Sequence, residues 1–146
     1  MISHHEIRTV VYPPELMYAV VSDVEKYPEF LPWIVALRVL SRRENGLTAE
    51  MAVGYGALRE RYTSDVALDP VEHRIDVIQT KGPFKTLENH WRFTPKGRTC
   101  EVEFSIAFEF KSRLLHGMAG RAFEKVMLKM ADAFEARAAQ LCRSNS

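Results

Sequence analysis

Only two cysteines are present, Cys100 and Cys142, and they form no CxxC pair, which argues against a zinc knuckle or a dithiol redox motif. No apolar run approaches the roughly 18 residues of a membrane-spanning helix, and the N-terminus lacks the apolar core of a signal peptide. A cytoplasmic, reducing setting is therefore expected. No linker rich in Gly, Ser and Pro divides the 146 residues, so one domain covering 1–146 is expected. A net charge of +1 with 27% charged residues lacks the basic excess of a DNA-binding domain, and no DNA partner is expected. GxSxG, HExxH, P-loop and dinucleotide fingerprints are all absent. His4-His5, His73, His90 and His116 are scattered without zinc-like spacing, so no metal site is assigned. Glu50, Glu60 and Asp65 offer an acid/base set in principle, but basic neighbours such as Arg59 and Arg61 favour surface pairing. No catalytic residue and no cofactor are assigned, and a binder is expected rather than an enzyme.

What the chain does have is a long amphipathic stretch from Ser112 to Cys142. Leu115, Met118, Ala119, Ala122, Phe123, Val126, Met127, Met130, Ala133, Phe134, Arg137 and Leu141 recur by threes and fours, which keeps them on one broad helix face. At about 1.5 Å per residue this helix runs roughly 45 Å, enough to cross a domain of this size. Its methionines and phenylalanines suit an irregular core or the wall of a ligand cavity. Arg113, Arg121, Lys125, Lys129, Arg137 and Arg143 outnumber Glu124, Asp132 and Glu135 along it, either as a solvated face or as an attraction for an anionic membrane or RNA.

Before it the period is two. Ser3 to Tyr12 reads as a strand with Ile7, Thr9 and Val11 on one face, ended by Pro13-Pro14. A short helix follows from about Glu15 to Asp23, and then an aromatic, Pro-punctuated stretch from Asp23 to Trp33 that allows at most a helical turn. Six strands come next. Glu44-Asn45-Gly46 marks a hairpin, Gly54, Gly56 and Ala57 allow a bend, and Asp69-Pro70, Gly82-Pro83 and Thr94 to Gly97 mark further turns. Leu87, Asn89, Trp91 and Phe93 share one face, as do Val102, Phe104, Ile106, Phe108 and Phe110. The order is β-α-α-β-β-β-β-β-β-α. An α+β helix-grip arrangement follows, in which a curved antiparallel sheet of about seven strands wraps the long helix, since each has one apolar face to bury.

Three stretches carry a resemblance: Val20-Val21-Ser22-Asp23-Val24-Glu25-Lys26-Tyr27-Pro28-Glu29-Phe30-Leu31-Pro32-Trp33, then Gly82-Pro83-Phe84-x-x-Leu87-x-Asn89-x-Trp91-x-Phe93, then Phe123-Glu124-x-Val126 through Ala133-Phe134-Glu135-x-Arg137-Ala138. Together, in order and spacing over about residues 3–142, they resemble the coenzyme Q-binding START-domain family of the polyketide cyclase and lipid-transport superfamily. Its bacterial members include proteins named as ribosome-association toxins. One departure is Ile34, where many relatives are expected to carry cysteine. The resemblance implies a START-like fold and a non-catalytic carrier or chaperone for ubiquinone or another prenyl lipid in respiratory metabolism, with peripheral contact at the inner face of the respiratory membrane. Two alternatives stay open: a ribosome-associating protein that blocks subunit joining, and a cyclase or dehydratase-like enzyme.

A quinone site needs a few donors among apolar walls. Tyr62, Asn89, Trp33 and Trp91 are the candidate donors, and Phe30, Leu31, Leu87, Phe104, Phe108, Met118, Phe123 and Met127 the candidate walls; each also reads as ordinary core. Entry is expected through movement of Phe30–Trp33, Gly82–Phe84 or Leu114–Gly120. On the long helix, Leu114 to Met127 is expected to line and gate the cavity, and Val126 to Leu141 to seal the core.

Overall fold

The computed structural model describes residues 1–56 and 58–144; Ala57, part of the expected bend, lies outside them. Strand β1 (Ile2–Val10) leads to helix α1 (Pro14–Ser22), a 3-10 turn at Val24–Lys26 and the short α2 (Tyr27–Phe30). Strands β2 (Ile34–Arg43), β3 (Gly46–Tyr55), β4 (Leu58–Asp69), β5 (Arg74–Lys81), β6 (Phe84–Lys96) and β7 (Thr99–Phe110) form a meander, and α3 (Arg113–Ser144) ends the chain. All seven strands are antiparallel neighbours in the order β1-β7-β6-β5-β4-β3-β2. Register shifts in β2, at Thr63/Ser64 and at Phe84/Thr86 bend the strands where the sheet must curl around α3.

Alternation explains most of the sheet. On β7, Cys100, Val102, Phe104, Ile106, Phe108 and Phe110 are all buried, and they meet the buried Leu87, Asn89, Trp91 and Phe93 of β6. Burial pushes the Cys100 thiol up to about 11, so it stays protonated core. Helix α3 starts where Ser112 Oγ accepts the Leu115 amide at 3.1 Å, and its 32 residues rise about 48 Å. Its buried stripe runs through Ala119, Phe123, Val126, Met127, Ala131, Phe134 and Ala138.

Strand β1 turns the shared face of Ile7 and Thr9 outward. Ile7 and Val11 are exposed, and the inward face is Ile2, His4, Glu6, Arg8 and Val10. Residues paired across an antiparallel ladder share a face, and β1 pairs Ile2 with Phe108, His4 with Ile106, Glu6 with Phe104 and Arg8 with Val102. The buried β7 face therefore dictates which side of β1 points in. Its polar groups satisfy one another: Arg8 reaches Glu6 at 2.7 Å and, on α3, Asp132 at 2.8 Å and Glu135 at 3.0 Å. The hairpin also differs in detail. Glu44 and Asn45 form the turn, and Gly46 is the first residue of β3, paired with Arg43. A Cβ on Gly46 would lie 2.5 Å from the Val66 carbonyl oxygen, so glycine there serves the close approach of β4.

Candidate functional site: an apolar cavity between sheet and helix

The curl of the sheet leaves a cavity of about 60 Å³ against the middle of α3. Met51 and Val53 of β3, Tyr62 and Val66 of β4, Val77 of β5, Leu87 and Asn89 of β6 and Ile106 of β7 form its floor; Phe123, Val126 and Met130 of α3 cover it. Val24, Tyr27, Leu31, Trp33 and Ile34 close one end. The aromatic, Pro-rich stretch thus both plugs the core and walls the cavity. Its 3-10 turn and α2 bring Tyr27 inward, where the hydroxyl donates to the Val21 carbonyl and the ring meets Phe134 edge-on at 5.2 Å. Trp33 is tied down by Gly54 N–H donating to its carbonyl at 2.9 Å.

Two aromatic groups flank this space. Trp91 packs on Phe104 (4.4 Å between centroids) and Phe134 (5.1 Å) on one side. On the other, Phe123 meets Phe108 (4.5 Å) and Phe84 (5.1 Å), and Phe84 stacks on Phe110 (4.6 Å). The polar groups facing the cavity are few. Tyr62 touches Met51 Sδ at 3.6 Å, and burial pushes its hydroxyl up to about 12, so it remains a protonated donor. Its position is held by the β5–β6 turn: a Cβ at Gly82 would come within 2.6 Å of Tyr62 Cβ. Asn89 donates to the Ser105 carbonyl at 3.0 Å and accepts from Trp91 Nε1 at 2.9 Å.

Of the residues singled out from sequence, Leu31, Trp33, Tyr62, Leu87, Asn89 and Phe123 line the cavity. The others do not. Trp91, Phe104 and Phe108 belong to the flanking aromatic groups, Met127 is buried outside the lining, and Phe30 packs on Phe134 with Arg137 over its ring. Met118 is 63% exposed, and Leu114 74%. The expected division of α3 is narrowed: the covering residues are Phe123, Val126 and Met130 at its centre, while the first turns set His116 against Phe108 and Phe110 at the end of β7 and leave Leu114 and Met118 exposed. Ile106 and Met130 stand on the apolar stripes read from the sequence without being singled out, and Val66 and Val77 complete the lining, since a repeat marks a face and not the gap above it.

Charged groups lie elsewhere. Glu50 pairs with Arg61 at 3.5 Å and Arg38 at 3.6 Å, Asp65 accepts from Thr48 Oγ1 at 2.7 Å, and Glu60 is half-buried outside the lining. His90 Nδ1 meets Asp76 at 2.6 Å on the outer face. Among the described residues no cluster of three His, Cys, Asp or Glu could hold a metal ion, and no helix is long and apolar enough to cross a membrane.

Comparison with known proteins follows the same geometry. Residues 10–135 match the family described as polyketide cyclase / dehydrase and lipid transport. The chain is 36% identical over 145 residues to coenzyme Q-binding protein COQ10 homolog B, mitochondrial, of Xenopus laevis, covering 96% of this chain and 59% of that one. It is 32% identical over 146 residues to the ribosome association toxin RatA of Rickettsia prowazekii, covering 98% of this chain and all of the other (100%). A START superfamily protein from Mycobacterium smegmatis superposes with a TM-score of 0.79 at 21% identity, over 95% of this chain and 98% of that one. The helix-grip architecture is thus the START-like fold, and the chain belongs to the polyketide cyclase / dehydrase and lipid transport family.

Proposed function

We propose that this protein binds a hydrophobic small molecule in the cavity under α3, an isoprenoid quinone first among the candidates, and acts as a non-catalytic carrier. The observation that carries this reading is the cavity's make-up: aliphatic and aromatic walls with two hydroxyls, one amide and one indole N–H, and, among the described residues, no carboxylate, imidazole, amine or thiol in the lining. Such a wall recognises an apolar body with a small polar head, and for proton transfer it offers only the weakly acidic tyrosine hydroxyls. The name of the Xenopus relative supports the quinone in particular.

Ligand sites usually enclose roughly 300–1,000 Å³, so the cavity of about 60 Å³ must widen to admit one. Met51 and Met130 in the lining can adapt without strain, because an unbranched thioether has several rotamers of similar energy. Selectivity rests on the head, since a prenyl chain leaving a bilayer gains little from another apolar environment. Solvent extraction of protein purified from a quinone-producing host, with mass spectrometry and a titration with short-chain ubiquinone, tests the reading. A co-purifying prenylquinone and saturable binding are expected; the absence of both sinks it.

The exposed face of α3 supports contact with a larger partner. Leu114 and Met118 stand out from the helix among Arg113, Arg121, Lys125 and Lys129, all exposed. Apolar tips within a basic ring fit an anionic bilayer surface, the source and destination of a prenyl lipid. The same basic run supports the ribosome reading, together with the name of the Rickettsia relative. Flotation with phosphatidylserine or cardiolipin vesicles tests the first; sucrose-gradient profiles on overexpression test the second, which fails if the 70S fraction is unchanged.

A further inference from the structure

Ser64 is the next inward residue of β4 after Tyr62, fully buried, and its Oγ has no hydrogen-bond partner among the described residues. A buried hydroxyl with nothing to bond destabilises the fold, and such groups call for a reason. Its surroundings supply one. Along β4 its same-face neighbours are Tyr62 and Val66; directly opposite it stand Ala49 and Gln79, and diagonally Met51, partner of Tyr62, and Val77, partner of Val66. Tyr62, Val66, Met51 and Val77 line the cavity. Ser64 sits between these four on the same face, just outside the lining, so the widening that a ligand requires opens beside its hydroxyl.

The other polar groups of the cavity have already committed much of their capacity. Tyr27 donates to the Val21 carbonyl, Asn89 donates to Ser105 and accepts from Trp91, and Tyr62 has only the weak thioether acceptor of Met51. Donor capacity left for a ligand therefore lies with the Trp33 indole N–H at the end of the cavity and, on β4, with Ser64 and Tyr62, two residues apart on one face.

We propose that Ser64 Oγ is the anchoring donor for the polar end of the bound molecule, with Tyr62 beside it, so that the ligand's head lies on the β3–β5 floor and its apolar part extends under α3. The class of ligand this selects is an otherwise apolar molecule with a carbonyl-type oxygen at one end. The inference rests on the cavity reading above and adds to it which residue reads the head.

Ser64→Ala removes the hydroxyl and almost no volume. Binding of short-chain ubiquinone, and of an alkylbenzene of equal chain length without ring oxygens, is measured by titration for the native protein and the variant. The expected result is about a tenfold loss of quinone affinity in Ser64→Ala, equal alkylbenzene affinity in both, and an unliganded thermal midpoint no lower than native. Equal quinone affinity in the two proteins overturns the role of Ser64 while leaving the cavity reading standing. A parallel loss for quinone and alkylbenzene also overturns it, since the effect is then packing. If the native protein binds neither probe, the cavity reading fails and this inference with it.

Discussion

Tyr27 shows how a single side chain ties the cavity to the fold. Its ring forms part of the cavity wall, while its hydroxyl is fully spent on the Val21 carbonyl at the end of α1, and burial raises its pKa far above the ordinary range. Tyr27→Phe keeps the ring and orphans a buried carbonyl, so a loss of about 1–3 kcal/mol is expected in urea unfolding, with quinone affinity little changed because the lost group never faced the ligand. A large affinity loss without a stability loss would instead assign the hydroxyl to the ligand. The sequence marks Tyr27 only as an aromatic in a Pro-rich stretch, since its partner is set by how the 3-10 turn folds back on α1. Met118 failed for a related reason: its spacing fits the helix stripe, yet the stripe read from sequence is broader than the face the sheet covers, leaving Met118 63% exposed. Leu87 and Phe123 were legible because alternation on β6 places the one, and the three-four repeat of α3 the other, on a buried face.

At the scale of elements, the least legible piece is β1, and the cause is physical. Its more apolar alternation, Ile7, Thr9 and Val11, faces outward because register with β7 determines which side is in, and register is a property of two strands. The polar inner face makes β1 an electrostatic clasp on α3 through Arg8, Glu6, Asp132 and Glu135. Burial pushes the Glu6 carboxyl up, but hydrogen bonds from His4 and Arg8 and the Arg8 charge outweigh it and hold the pKa below its ordinary 4.5. A carboxylate depressed in the folded state contributes stability that is complete above its unfolded pKa and is lost as the pH falls through the folded value. The clasp is therefore expected to hold at neutral pH and to weaken below about pH 4.5, seen as a falling thermal midpoint on the acid limb. Arg8→Met should lower stability at neutral pH and flatten that limb, since Glu6 then loses the Arg8 hydrogen bonds and charge and keeps only His4; an unchanged acid limb would dissociate Glu6 from the clasp. The six strands of the meander and the long helix were legible in order because turn signals separate the strands and the three-four repeat runs unbroken along α3.

For the whole molecule the question is whether the space under α3 is a site or a packing defect, since an unfilled gap forfeits dispersion contacts that a filled core would keep. The two possibilities separate on filling it. Val126 is fully buried, projects from the centre of α3 and faces Met51, Tyr62 and Leu87 across the gap as fellow lining residues. Val126→Phe places a ring in the cavity of about 60 Å³. Without ligand the variant should keep or raise its thermal midpoint, because the added carbons find partners where there were none. With ligand the order should reverse: the native protein gains about 2.7 kcal/mol at a free ligand concentration 100 times its dissociation constant, and the variant gains little because the place is taken. Thermal unfolding with and without short-chain ubiquinone reads both effects in one experiment. If the space were only a defect, the variant would be the more stable protein in either condition and quinone would move neither midpoint. A crossing of the two stabilities on adding ligand is the signature of a fold that leaves part of its core open for a guest.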